Sequence, residues 1–243
     1  MKVFVMGDIH GAHRALLQCL QRAKFDHRKD KLIVLGDIAD RQPGVYECVE
    51  ELMKIPHLVA IRGNHDDWLD EFCQTGRHPA DWTYGGEATI ASYLKQKKGV
   101  TRKNKITPGN IPQKHQLFFS QLPPYHIDDE GRCFVHAGFN PLIPFPSQTP
   151  STYYWDRTLW AAALEWETQK RSHPKQPPFR TKPSFSEIYL GHTSTLNWEL
   201  TIPMQAAHVH NLDTGAGNWG KLTIMDVGTK EFWQSDSVGE LYP

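Results

Sequence analysis

The sequence has little that could cross-link it. Its four cysteines, Cys19, Cys48, Cys73 and Cys133, lie far apart and form no CxxC pair, which argues against a zinc knuckle or a dithiol redox motif. Cys48 falls on the apolar stripe Val45, Cys48, Val49, Leu52 and is expected to be a buried structural thiol. A charge surplus is also missing: 27 Lys plus Arg balance 27 Asp plus Glu, and there is no basic block. A protein that lives on non-specific contact with nucleic acid or an anionic membrane would carry such a surplus, so neither is expected as a partner. No apolar run approaches the roughly 18 residues of a membrane-spanning helix. The N-terminus enters a short strand without the charged and apolar regions of a secretory signal. The reducing cytoplasm is the expected location and a monomer the expected state. Repeats and low-complexity tracts are absent too.

What the sequence does have is a recurring unit. Val3-Phe4-Val5-Met6 leads into GDIHG, Leu32-Ile33-Val34-Leu35 into GDIADR, and Leu58-Val59-Ala60-Ile61 into RGNHD. Later, Cys133-Phe134-Val135 leads into His136, and Ile188-Tyr189-Leu190 into Gly191-His192-Thr193. Short continuous apolar runs suit strands buried on both faces. Between them, Leu16, Leu17, Leu20 and Ala23 recur at helical spacing, as do Val45, Cys48, Val49 and Leu52. Strand, polar turn, helix, strand is the pattern of an α/β fold, whose sites form where strand ends open into loops. The second half differs, with a Pro- and aromatic-rich stretch near 140–185 interrupted by a helix around Leu159–Lys170. Ala206–Leu212, Lys221–Val227 and Lys230–Gln234 then read as strands of a second sheet. One domain over 1–243 is expected, with 140–185 as an insertion.

The residue types at these turns define a chemistry. Asp8 and His10, two apart after a strand, could reach one cation, and Asp37 has two oxygens that could bridge two. Asn64 offers a neutral carbonyl oxygen, and His136 and His192 offer imidazoles. Mixed oxygen and nitrogen donors without thiolate favour Mn, Fe or Zn, and several imidazoles disfavour a pure Mg or Ca site. Two cations about 3.5–4 Å apart would acidify a shared water and stabilise an in-line displacement. Phosphate esters suit such a device, because their hydrolysis needs mostly positioning and charge neutralisation. Arg41 could offer a bidentate fork to phosphate oxygens.

In this order, the words GDIHG, GDIADR, GNHD, VHAG and GHT closely resemble the phosphoprotein phosphatase family of calcineurin-like metallophosphoesterases. The nearest look is that of the bacterial and bacteriophage lambda-type serine/threonine phosphatases. Tyr84-Gly85-Gly86, Trp155-Asp156-Arg157 and Asp213-Thr214-Gly215-Ala216 extend the likeness over almost the whole chain. The resemblance implies an α/β fold of two mixed β-sheets between helical layers. It also implies two divalent ions, with Mn best in vitro and Fe or Zn as alternatives. Asp8 and His10 would hold the first, Asp37 would bridge, and Asn64, His136 and His192 would hold the second. His65 would be the general acid, oriented by Asp40. Arg41, Arg157 and Asn64 would contact phosphate, and a bridging hydroxide would attack directly.

Three positions depart from the family pattern. Gln42 stands where Gly follows the Asp-Arg pair, Asp66 replaces the Glu of GNHE, and Ala137 replaces the first Gly of HGG. GNHD is familiar from diadenosine tetraphosphatases, which typically lack an Asp equivalent to Asp40. The expected activity is hydrolysis of phosphomonoesters, first on phosphoserine and phosphothreonine proteins and second on phosphotyrosine proteins, or on small phosphoesters. A tetraphosphatase is the alternative, and an inactive metal-binding scaffold is less favoured. His13, His27, His57, His78, His115, His126 and His173 are expected to be exposed, and His208 and His210 to form a solvated strand face. Trp155, Trp160 and Trp166 are expected to pack. Lys170, Arg171, Lys175, Arg180 and Lys182 could give the entrance a positive edge.

Overall fold

Three short apolar runs of the N-terminal half become parallel strands, each preceding a polar turn. In the computed structural model, which describes residues 1–79, 82–96 and 106–243, these are β1 (Val3–Met6), β2 (Lys31–Val34) and β3 (Leu58–Ala60). Helices α1 (His13–Arg22) and α2 (Val45–Leu52) connect them. Then come α3 (Asn64–Thr75), α4 (Gly86–Lys95) and α5 (Gln113–Ser120). The second half begins with β4 (Tyr125–Ile127), β5 (Cys133–Val135), α6 (Pro150–Trp155) and α7 (Thr158–Ser172). It ends with β6 (Ile188–Leu190), β7 (Met204–Ala206), β8 (Val209–Asn211), β9 (Thr223–Asp226), β10 (Phe232–Gln234) and α8 (Val238–Leu241). Among the described residues no helix is long and apolar enough to cross a membrane.

The strands form two five-stranded mixed sheets, ordered β10-β9-β1-β2-β3 and β4-β5-β6-β8-β7. β1, β2 and β3 run parallel, with Val5 opposite Ile33 and Ile33 opposite Val59. β5, β6 and β8 are likewise parallel, and antiparallel strands close the edges beyond β1, β5 and β8. Side chains alternate across each strand, and that alternation builds three apolar layers. Phe4, Met6, Leu32 and Val34 face α1 and α2, while Val5 and Ile33 meet Phe134, Tyr189 and Leu212 between the sheets. On the far side Cys133, Val135, Ile188 and Leu190 pack with Leu159 and Trp160 of α7. Each large side chain so buried contributes about 1.5–3 kcal/mol, so the inter-sheet layer holds the two sets of strand ends in fixed relation.

Several local expectations need correction. Residues 206–212 are not one strand: Ala207 takes a left-handed φ of 52°, and β7 and β8 form a hairpin in the second sheet. β9 and β10 instead return to the first sheet, beside β1. A strand buried on both faces looks the same from either sheet, so its partner is not written in its own pattern. His210 is buried, stacked on Tyr189 at 4.9 Å between ring centroids, with Nε2 3.7 Å from Glu187, and His208 lies in the preceding turn. His115 is buried as well, hydrogen bonded to the Tyr93 hydroxyl at 3.0 Å and to Glu50 at 2.8 Å. A histidine with a partner on each ring nitrogen is at home in a core.

Candidate active site

Every parallel strand delivers polar residues to the same end of the two sheets. Asp8 and His10 follow β1; Asp37, Asp40 and Arg41 follow β2; Asn64 and His65 follow β3. His136 follows β5, His192 follows β6, and Asp213 follows β8. The turns are sewn to one another: the Ile9 and His10 amides both donate to the Asp37 carbonyl, at 3.1 and 2.7 Å. Of nine described non-glycine residues with left-handed backbone, five are here: His10, Asp37, Asp40, Arg41 and His192. Such conformations cost about 1–3 kcal/mol each and persist only where the surroundings impose them. Because Asp40 and Arg41 carry the turn at φ 74° and 70°, no glycine is required at Gln42. Close approach fixes two glycines, since a Cβ on Gly191 would fall 1.9 Å from Asp8 Oδ1 and one on Gly63 2.1 Å from Asp37 Oδ1.

Asp8, His10, Asp37, Arg41, Asn64, His65, Arg157 and His192 line a cavity of about 450 Å³. Asp40 and His136 stand behind them, fully buried. Asp37 is central. Its Oδ2 is 3.5 Å from His10 Nε2 and 3.4 Å from His136 Nε2, and His136 Nε2 is 3.1 Å from Asn64 Oδ1. Two groups have donor atoms mutually within 4.8 Å, His10 with Asp37 and His65, and Asp37 with His136 and His192. Asp37 belongs to both. Asp8 is in neither, although its Oδ2 accepts from the His192 amide at 2.9 Å.

Hydrogen bonds aim the rings. His10 Nδ1 donates to the Ala39 carbonyl at 3.1 Å and His136 Nδ1 to the Leu35 carbonyl at 2.8 Å, which turns each Nε2 lone pair inward. Burial pushes His10, His136 and His192 below the ordinary imidazole range, so they are neutral donors. Burial alone would raise Asp37, but His136, His65, His10 and His192 outweigh it and hold its carboxyl well below the usual range. Asp8 is driven the other way, by burial and then by Asp213 and Asp37. Asp8 Oδ1 and His192 Nε2 are buried without any hydrogen-bond partner. Crowded carboxylates, neutral imidazoles and two orphaned donor atoms fit divalent cations, which would satisfy the orphans and offset the negative charge.

Beside the cluster, His65 Nδ1 donates to Asp40 Oδ2 at 2.6 Å. Asp40 is locked in turn by Trp82 Nε1 at 2.9 Å and Thr89 Oγ1 at 2.6 Å. Burial works against a charged His65, but Asp37 and the bond to Asp40 prevail and raise its pKa. Arg157 lies just before α7, with Nη1 donating to Thr193 Oγ1 at 2.7 Å. Of the segment 140–185, Trp155 and Arg157 line the cavity; Lys170, Arg171, Lys175, Arg180 and Lys182 do not. Lys170 instead lies over the Trp166 ring.

Other residues join the site to which the sequence assigns no role there: Asp213, Tyr84 and Trp155 stand only in family-like words, Asp66 only as a departure from GNHE, and Trp68 in none of these words. Asp213 lines the cavity, and burial pushes its carboxyl up to about 6; its word Asp213-Thr214-Gly215-Ala216 after an apolar run was the available signal. Trp68, Tyr84 and Trp155 form part of the wall. Asp66 acts from behind. Its Oδ1 accepts from the Ile38 and Ala39 amides at 2.9 and 3.0 Å, and its Oδ2 from the Gly63 amide at 3.0 Å. This ties the turn after β2 to the start of α3, at the N3 position where a carboxylate also favours the helix dipole. Asp66→Ala should therefore cost about 3 kcal/mol. That corresponds to a fall in Tm of roughly 6–12 °C, to be measured by calorimetry. A melting point within 2 °C or so of the parent would show that these bonds contribute little.

The layered sheets and the polar cluster at their strand ends define a metal-dependent hydrolase class. A family model for calcineurin-like phosphoesterases matches residues 1–194, and the chain belongs to that family. It is a metallophosphoesterase. Serine/threonine-protein phosphatase 1 of Salmonella typhimurium is 27% identical over 223 residues, covering 91% of this chain and 90% of that one. The symmetrical bis(5'-nucleosyl)-tetraphosphatase of Coxiella burnetii strain CbuK_Q154 is 33% identical over 280 residues, covering 94% and 89%. Among solved structures, a metallophosphoesterase from Sphaerobacter thermophilus superposes with a TM-score of 0.54 at 18% identity, over 98% of this chain and 89% of that one. That likeness shows the shared fold.

Proposed function

We propose that this chain is a phosphomonoesterase acting on phosphoproteins, working as one catalytic domain around a dinuclear divalent metal centre. The reading rests above all on His65, whose Nδ1 is held by Asp40 and whose ring shares a donor group with His10 and Asp37. Asp8, His10 and Asp37 would hold one ion, and Asp37, Asn64, His136 and His192 the other. When bound, the ions supply Lewis acidity and a water acidic enough to serve as nucleophile near neutral pH. The chain's own residues do the rest. Arg41 and Arg157 grip phosphate oxygens as the ester enters, with the Asn64 side chain alongside. His65 Nε2 gives its proton to the leaving ester oxygen, and Asp40 fixes the ring and supports its charge. Water is consumed, and phosphate and an alcohol or phenol leave.

Protein reconstituted with Mn²⁺ should release phosphate from phosphopeptides faster than it splits diadenosine tetraphosphate. A second reading, a dinucleoside tetraphosphatase, is favoured by Asp66 in GNHD and by the Coxiella burnetii relative; the reverse order of rates would establish it. Fewer than one ion per chain after reconstitution would point to an inactive scaffold.

Arg157→Ala should weaken inhibition by inorganic phosphate by roughly 10- to 100-fold, the worth of a lost charge-assisted contact. An unchanged inhibition constant would confine Arg157 to its bond with Thr193.

A further inference from the structure

One wall of the cavity is neither charged nor metal-binding. Trp68 lies one turn beyond His65 on α3, with the two ring centroids 4.9 Å apart and nearly perpendicular. Trp68 is itself 9% exposed and supports two rings that are far more open, Tyr84 at 61% and Trp155 at 45%. Tyr84 lies nearly parallel to Trp68 at 6.5 Å, and Trp155 is tilted against it at 5.4 Å and edge-on to His192 at 5.7 Å. Both open rings are tied to the phosphate-binding arginines. Tyr84 precedes Gly85, whose carbonyl accepts from the Arg41 amide at 3.1 Å, and Trp155 ends α6 two residues before Arg157.

We propose that Trp68, Tyr84 and Trp155 form a slot for the aromatic ring of an aryl phosphate ester, making them the residues that select phosphotyrosine-type esters over alkyl ones. The inference rests on the phosphatase reading and sharpens it. A ring bonded directly to the ester oxygen must lie next to the group that protonates that oxygen, and the neighbour of His65 is the Trp68 indole. Rings meeting edge-on or offset attract one another beyond the area they bury. A serine or threonine ester offers only a methylene or methine there and leaves the slot open. The base of a dinucleoside polyphosphate is separated from the broken bond by a sugar and at least one phosphate, so it does not fall at this depth.

The test uses the full chain loaded with Mn²⁺ and the double variant Tyr84→Ala/Trp155→Ala, whose two rings are exposed enough to remove without opening the core. Phenylphosphonate should bind the parent about tenfold more tightly than methylphosphonate, and the variant should bring that ratio close to one. For one peptide carrying phosphotyrosine or phosphoserine at the same position, the variant should lower the kcat/KM ratio by a similar factor. The comparison between proteins cancels the intrinsic advantage of a phenol as leaving group. Equal binding of the two phosphonates by the parent, equally tight binding of cyclohexylphosphonate, or a peptide ratio that survives in the variant would overturn the proposal. So would diadenosine tetraphosphate turnover that exceeds both peptides and collapses in the variant, since the slot would then hold a base. If neither peptide releases phosphate, the phosphatase reading fails, and the phosphonate affinities still decide whether the slot exists.

Discussion

Asp37→Asn should strip both halves of the metal centre at once. Asp37 is the residue shared by the two donor groups, and its Oδ2 is within 3.5 Å of ring nitrogens from both β1 and β5 turns. The substitution keeps the size of the side chain and leaves Oδ1 able to accept from the His65 amide, a bond of 3.0 Å in the parent. What it removes is the negative charge. Metal analysis after reconstitution should fall from two ions per chain to fewer than one. Turnover should drop at least about a thousandfold, the equivalent of roughly 4 kcal/mol of transition-state stabilisation. Two retained ions with parental turnover would remove Asp37 from the proposed ligand set.

His65→Asn should do the opposite, keeping the ions and losing the proton transfer. Losing a general acid costs about 10²–10⁴-fold, and that loss should appear in full on alkyl phosphates, whose leaving oxygen needs the proton. An aryl ester with an acidic phenol should suffer far less, so the ratio between the two substrates is the diagnostic. The structure makes this a sharp choice, because His65 shares a donor group with His10 and Asp37 and is also anchored to Asp40. If the variant loses an ion, His65 is a ligand and the acid lies elsewhere. If alkyl and activated aryl esters fall by the same factor, His65 serves positioning alone.

These two experiments address residues that were legible in the sequence. Asp8, His10, Asp37, Asn64, His65, His136 and His192 could be named because each follows an apolar run and sits in a distinctive word. Trp68 and Asp66 could not. Trp68 resembles a core residue of an amphipathic helix, and only its contact with His65 brings it into the wall. Asp66 resembles a neutral variant of the Glu in GNHE until its three backbone donors are seen. His115 and His210 were misjudged for the same reason. A polar side chain is read as exposed until a buried partner is found for it, and those partners lie 65 and 23 residues away, at Glu50 and Glu187.

By itself, then, the sequence determined the parallel-strand units, the polar residues at their ends and the family. These are local properties, carried by the period of apolar residues and by the few backbone shapes available after a strand. Tertiary structure decided which sheet each late strand joined, that Asp37 belongs to two donor groups, that Asp40 is locked by Trp82 and Thr89, and that Trp68 packs against His65 with Tyr84 and Trp155 beside it. Those facts depend on contacts between distant segments. The packed layer between the sheets fixes them, and no single stretch of chain encodes such a layer.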